Sequence, residues 1–478
     1  MRSRPTRVVD RSGRRGLGWA AIASCALSLG SPMVASAQGP LMQRSTVLEN
    51  VRLISSDGRV IEGANVVIRG SDIAGVGTQA APSGPMTRST NLGGRFVTPG
   101  LIDPNGAIAL TGGNADPDAR ARAADAFDHY DRLTVTDAWR NGVTGVFIPA
   151  RGGIGVQGVG AVVRLVPREI GGFGEFVSDE AALCIDLGSR AGAIARAEAY
   201  AKIVADFRSA EAYREANEIY KEELEEYEKK VAERAKKDEA AGSGSGSGSG
   251  SGAAGRRPGG AQASGNGSGG DGENKEDELK KPARPDPNKG YDVLLRAIDR
   301  DMPVRIVAHR SADILNAIRL SEQFGLDLIV VGATDADLVA DRLAEAKARV
   351  ILDPVIGPGS ARSPRRVHRM RDVASALTAA GVPWSVGTGA GSSEASRALL
   401  VAAAEVTDGS ADAFTLATRR ASEAVGQRQR LGTLRPGVPA DLVVWSGHPL
   451  EPGSFVERVY MNGRVVFTSP RSELEGGR

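Results

Sequence analysis

A chain of 478 residues, 41% of them apolar and 25% charged, is too long for one simple core and is expected to form two or three units. The first 37 residues hold six Arg against one Asp, so the formal charge of +2 for the whole chain becomes about −3 for the remainder. That balance excludes the basic surface that nucleic acid or an anionic membrane would require.

Met1 to Arg15 is rich in Arg, residues 16–30 are small and apolar, and VASA ends at Ala37. This order of charge, apolar run and small residues predicts a secretory signal peptide over 1–37, a mature chain starting at Gln38, and a periplasmic or extracellular location. The apolar run is too short to span a bilayer, and no transmembrane segment is expected after its removal. Arg14-Arg15 hints at twin-arginine export, though the flanking residues fit poorly. Ile22-Ala23-Ser24-Cys25 also has the look of a lipoprotein cleavage site, but Ala35 and Ala37 fit the signal-peptide reading better. With Cys25 in this leader and Cys184 alone after it, no internal disulfide is expected. Cys184 lies in the apolar run ALCIDL and reads as a buried structural thiol.

From Val47 to Gly77 the apolar positions alternate between turn residues, which predicts short strands. The same pattern returns over 440–467, where Asn462-Gly463 marks a hairpin. One small β-domain built from both ends, 44–96 and 427–470, follows. Between them, 97–426 alternates strand and helix. The expected strands are Phe96–Ile102, Val143–Pro149, Ala161–Val166, Leu183–Leu187, Val304–His309, Leu326–Gly332, Val350–Asp353 and Trp384–Thr388; Asp313–Phe324, Asp335–Ala348 and Ser393–Val406 read as helices. Eight β-runs with helices between them predict an α/β architecture, a parallel (β/α)8 barrel.

Residues 207–289 interrupt that alternation. Tyr213, Tyr220, Leu224, Tyr227 and Val231, at spacings of seven, four, three and four, make a narrow apolar stripe on a charged helix. A Gly/Ser run and a charged, Pro-containing tail follow, which predicts a disordered insertion. It reads either as a tolerated surface loop or as an arm whose stripe docks a protein partner or a second copy, giving a homo- or hetero-oligomer.

The four histidines differ in setting. His129 in DAFDHYDR and His368 in SPRRVHRM read as solvated helical positions, and His448 follows a strand of the terminal β-domain. His309 ends the strand PVRIVAH, at the C-terminal end where a barrel builds its active site. Asp103, Asp186, Asp353 and Thr388 also fall near strand ends and are expected to line the mouth.

FVTPGLIDPNGA at 96–107 resembles the opening strand of the amidohydrolase superfamily, V-x-P-G-hydrophobic-I-D-x-H-x-H. RLGTLRPGVPADLVVW resembles the closing signature of that superfamily's composite β-domain. AHRSADILNAIRLSEQFG and VTGVFIPARGGIGVQGVGAVVRL resemble runs of its imidazolonepropionase-related members. The resemblance covers about 45–205 and 290–468 and implies the barrel plus composite domain. It also implies hydrolysis of a C–N bond by water bound to Zn or another divalent metal.

The ligand positions depart from the pattern. Asn105 and Ala107 stand at the first two histidines, Val331 at the strand-six histidine, and Gly389 at the catalytic aspartate. Only His309 keeps a ligand type, and one neutral His cannot hold catalytic Zn. The expectation is therefore a pseudo-hydrolase with no cofactor that acts by binding a small molecule or protein. The alternative is an active hydrolase of amide, peptide or cyclic imide bonds, with Asp103, Asp186, Asp353 and Thr388 near replacement ligands or a metal-free acid/base pair.

Overall fold

The computed structural model describes residues 44–81, 86–110, 118–188, 191–242, 279–353, 364–389, 399–407 and 412–475. The expected signal peptide with Cys25 lies outside them, as do the Gly/Ser run and the start of the expected helix at Ser393.

Both chain ends share one sheet, whose order is β16-β15-β14-β5-β1-β2-β3 with β4 paired to β1. Here β1 is Ser45–Ile54, β2 Val60–Arg69, β3 Asp72–Gly77, β4 Thr87–Asn91 and β5 Phe96–Pro99, while β14 is Leu442–Trp445, β15 Val456–Met461 and β16 Arg464–Thr468. Strand β1 pairs β4 before Asn50 and β5 after it, so the sheet branches there. Leu48, Val66, Ile68, Val97, Leu442 and Val444 alternate inward into a core of its own. At the expected hairpin Asn462 and Gly463 take φ of 48° and 71°, the paired positive values of a tight turn matched to strand twist.

The second sheet runs in chain order, from β6 (Leu101–Asp103) through β7 (Val143–Ile148), β8 (Gly155–Pro167), β9 (Phe173–Asp186), β10 (Val304–Ala308), β11 (Leu328–Gly332) and β12 (Arg349–Leu352) to β13 (Trp384–Val386). The strands overlap the expected runs, with β8 and β9 starting six and ten residues earlier than Ala161 and Leu183, and form a nearly closed barrel. One departs from the parallel pattern, because β8 is antiparallel to both β7 and β9. The connection at 149–154 and the turn at 168–172 are too short for a crossover, which takes a dozen residues or more, so β8 must reverse.

The single strand expected over Phe96–Ile102 is two. Gly100 donates to Asp441 O of the terminal sheet at 3.0 Å, and Leu101 donates to Gly142 O of the barrel at 2.9 Å. One residue thus passes the chain from one sheet to the other. A Cβ at Gly100 would lie 2.0 Å from Thr144 Oγ1, so no other residue fits this passage. Arg164 on β8, 3% exposed, joins the same two bodies. It binds both Asp441 carboxylate oxygens at 2.9 and 2.8 Å and Glu175 at 3.0 Å.

A helix of 50 residues, Ala193–Gly242, replaces the expected insertion boundary at 207. Ile203, Phe207 and Ala210 are fully buried in the barrel's core, and Phe207 stacks on Phe324 at 5.0 Å. Burial of one helix face against hydrocarbon fixes its root, so the segment from 207 does not begin as a solvated arm. Farther along, the Tyr213 hydroxyl accepts from Asn288 N–H at 3.3 Å and its ring meets Tyr291 at 5.7 Å. The returning chain at 279–288 forms neither helix nor strand, with Leu279, Pro282, Pro285 and Asn288 half-buried.

Phe207→Ala is expected to lower stability by about 3–5 kcal/mol. Replacing residues 243–278 by a short Gly/Ser linker is expected to shift the midpoint little, since loop closure varies slowly with length. Chemical denaturation of the two variants checks both. Equal losses would contradict the assignment of Phe207 to the core.

Candidate functional site

The C-terminal ends of β6, β12 and β13 meet around Asp103, which is 1% exposed. Its Oδ1 accepts from Asn105 N–H at 3.0 Å and Thr388 N–H at 3.1 Å, and its Oδ2 accepts from the Thr388 hydroxyl. Gly389 N–H then donates to Asn105 O at 2.9 Å. The first and last strands of the barrel are joined here by a carboxylate clasp rather than a strand ladder. Burial pushes the Asp103 carboxyl above its usual range, against the pull of Thr388 and Asn105.

Asn105, 6% exposed, holds the next carboxylate. Its Nδ2 lies 3.0 Å from both Asp353 oxygens. Burial pushes Asp353 up to about 6; the Asn105 hydrogen bond opposes this and the neighbouring Asp103 charge adds to it. Gly389 has φ of +61°, and a Cβ there would stand 3.0 Å from Asp353 Cγ. The Asp353 carboxylate therefore fills the space in front of the position where the sequence pattern places a catalytic aspartate.

His309 turns to other partners. Its Nδ1 is 2.9 Å from Thr334 Oγ1, and its ring lies where a Cβ at Gly332 would come within 2.4 Å. Val331 is 3% exposed and packs with Ile329, Ile351 and Ala424, a hydrocarbon cluster inside the barrel. Ala107 is half-buried in the turn after β6. Asp186 accepts from Gly188 N–H at 2.8 Å, closing its own turn at the end of β9.

Of the expected mouth residues, the structure brings Asp103, Asp353 and Thr388 together through Asn105 and engages Asp186 in its own turn. Among the described residues, no three His, Cys, Asp or Glu side chains stand close enough to hold a metal ion. The donors present do not fit a divalent-metal hydrolytic centre. His129 departs from its expected helical setting. It occupies a turn, half-buried, with Nδ1 2.6 Å from Phe173 O and its ring edge-on to Phe127 and Phe176. His448 packs edge-on against Phe96 and Phe414, and the side chain of His368 lies outside the description.

Two arginines escaped the sequence reading. Arg305 is 2% exposed, donates to Pro104 O at 2.6 Å and lies 3.7 Å over the Phe147 ring. Burial lowers its pKa to about 10, so it stays charged at neutral pH. The signal was present in PVRIVAH, where Arg305 sits four residues before His309 and so on the same face of the strand. Arg151, after β7, carries the positive charge that favours ionised Asp103 and Asp353. Cys184 pairs with Arg305 in register, and burial raises its thiol pKa, as a structural thiol requires.

An acid whose folded pKa exceeds its unfolded value destabilises the fold once it ionises. Stability should therefore fall as pH rises from about 4 to about 6 and level off above. Asp353→Asn should remove that slope, gaining on the order of 2–3 kcal/mol over wild type at pH 7.5 and little at pH 4. Denaturation midpoints at the two pH values measure it, and a pH-independent difference would contradict the raised pKa.

No protein-family model matches this sequence, and no curated protein matches it. Solved structures do match by fold. An amidohydrolase from Thermotoga maritima MSB8 superposes with a TM-score of 0.61 at 24% identity, covering 89% of this chain and 100% of that one. A prolidase complexed with N-methylphosphonate-L-proline superposes with a TM-score of 0.50 at 17% identity over the same shares. At these identities the likeness establishes the fold.

Proposed function

We propose that this amidohydrolase-fold chain is an exported pseudo-hydrolase whose barrel mouth serves binding rather than metal-dependent hydrolysis. The observation that carries the reading is Asn105 donating to both oxygens of Asp353 at 3.0 Å. A position that would offer a metal-ligating imidazole instead offers an amide, and the amide engages the nearest carboxylate. With Asp103 clasped by Thr388 and Val331 sunk in hydrocarbon, the mouth's polar groups are bonded to one another. Export rests on the leader over 1–37, and a mature N-terminus at Gln38 in the exported fraction would support it.

One observation favours the second reading, hydrolysis of an amide, peptide or cyclic imide bond. Asp353, pushed up to about 6 beside a second buried carboxyl, is poised to exchange a proton near neutral pH. In that reading Asp353 is the acid/base group and Arg151 stabilises developing negative charge.

Metal analysis of untagged protein and its His309→Ala variant separates the readings, together with turnover assays on dipeptides and cyclic imides. The binding reading expects less than stoichiometric metal, no change on substitution and no turnover. Stoichiometric Zn, Mn or Fe lost in His309→Ala would overturn it. Turnover that disappears in Asp353→Asn without metal would establish the second reading.

A further inference from the structure

The Arg164 network forms the base of a large groove far from the barrel mouth. Beyond Asp441 and Glu175, Arg164 also reaches Asn462 Oδ1, at 2.5 Å. Above this base, the β8–β9 hairpin and the β15–β16 hairpin border a cavity of about 1290 Å³. Three of its lining residues, Arg44, Arg168 and Arg464, form no side-chain hydrogen bond or ion pair among the described residues. Against these three charges the lining offers only two carboxylates, and Glu175 is already bound to Arg164. The groove therefore holds an excess of guanidinium charge, in a chain whose mature part is slightly acidic.

The backbone adds a second feature. Strand β16 ends its sheet, paired only with β15. Arg464, Val465 and Val466, three successive residues, all border the groove. A β-bulge at Val466, between the Val465–Tyr460 and Phe467–Val459 pairs, turns successive side chains to the same side, and as the last strand of its sheet β16 leaves its outer edge open beside them. That edge offers unpaired N–H and C=O groups, which an extended peptide can pair. Its apolar side chains are also available, since Val465 is 49% exposed and Ile170, across the groove, is 76% exposed.

We infer that this groove binds an acidic, extended polypeptide segment, which adds as a strand to the edge of β16 while its carboxylates pair with Arg44, Arg168 and Arg464. Bidentate guanidinium–carboxylate pairs supply charge selection, and alternate apolar side chains of the peptide cover Val465 and Ile170. The site is independent of the barrel mouth and stands whichever reading of that mouth holds.

Fluorescence anisotropy on the full chain tests it with three labelled eight-residue probes. One alternates Glu and Val, one alternates Lys and Val, and one is the Glu/Val peptide N-methylated at every second amide. The Glu/Val probe is expected to bind at least about tenfold more tightly than the Lys/Val probe, with an affinity that falls as salt rises. N-methylation should weaken it by a similar factor, since only alternate amides face β16 and methylation at every second amide removes every donor on that edge. The triple variant Arg44→Glu, Arg168→Glu, Arg464→Glu should abolish Glu/Val binding with an unchanged thermal midpoint. Each single reversal, which perturbs the fold least, should weaken binding several-fold. No binding to wild type, equal binding of the Glu and Lys probes, or undiminished binding by the charge-reversal variants overturns the proposal. Binding that ignores N-methylation overturns the strand-addition part.

Discussion

Everything at the barrel mouth depends on the buried carboxylate of Asp103. It accepts two backbone N–H groups and one hydroxyl, and these come from both the first and the last strand of the barrel. A barrel abolishes its edges by closing, and here three donors to one carboxylate replace the ladder between β6 and β13. The group is costly to bury and remains affordable only because every donor reaches it; losing one leaves a desolvated carboxylate short of partners. Gly389 and Asn105 then complete the seam through one backbone bond. Asp103 is thus a structural residue first.

That constraint propagates into what the site can do. Closing the seam brings Asn105 within reach of Asp353, and Asp353 in turn occupies the room before Gly389. Restoring an aspartate at 389 alone would crowd Asp353. Likewise a histidine at 331 would stand in the apolar cluster of Ile329, Ile351 and Ala424. Asn105, Asp353 and Gly389 thus fit one another in space and in bonding. Meanwhile the surface contacts lie elsewhere, along a groove whose charge and open strand edge owe nothing to the mouth.

Much of the scaffold was legible because periodicity reports burial. The terminal strands and the Asn462-Gly463 hairpin follow from alternation and turn chemistry, and the eight barrel strands from apolar runs between helical patterns together with the family resemblance. Antiparallel β8 was not legible from its composition, since a fully buried strand is apolar in either direction, although the short loops at 149–154 and 168–172 carried the information. The insertion was read as starting at 207 on a solvated helix, but a seam repeat does not tell where a helix roots, and Phe207 lies in the core. At the site, the residue identities Asn105, Ala107, Val331 and Gly389 could be read directly. The Asn105–Asp353 and Asp103–Thr388 bonds could not, because they join residues 248 and 285 positions apart. Arg305 was passed over as a generic strand residue although an inward-facing charge is the signal that should have marked it.

Hydrogen exchange on wild type and Thr388→Val measures the clasp most directly. If Asp103 closes the barrel through Thr388, the variant loses protection at the Gly389 and Asn105 amides while β10 and β11 keep theirs. Unchanged protection at Gly389 in Thr388→Val would contradict the clasp as the closure of the barrel.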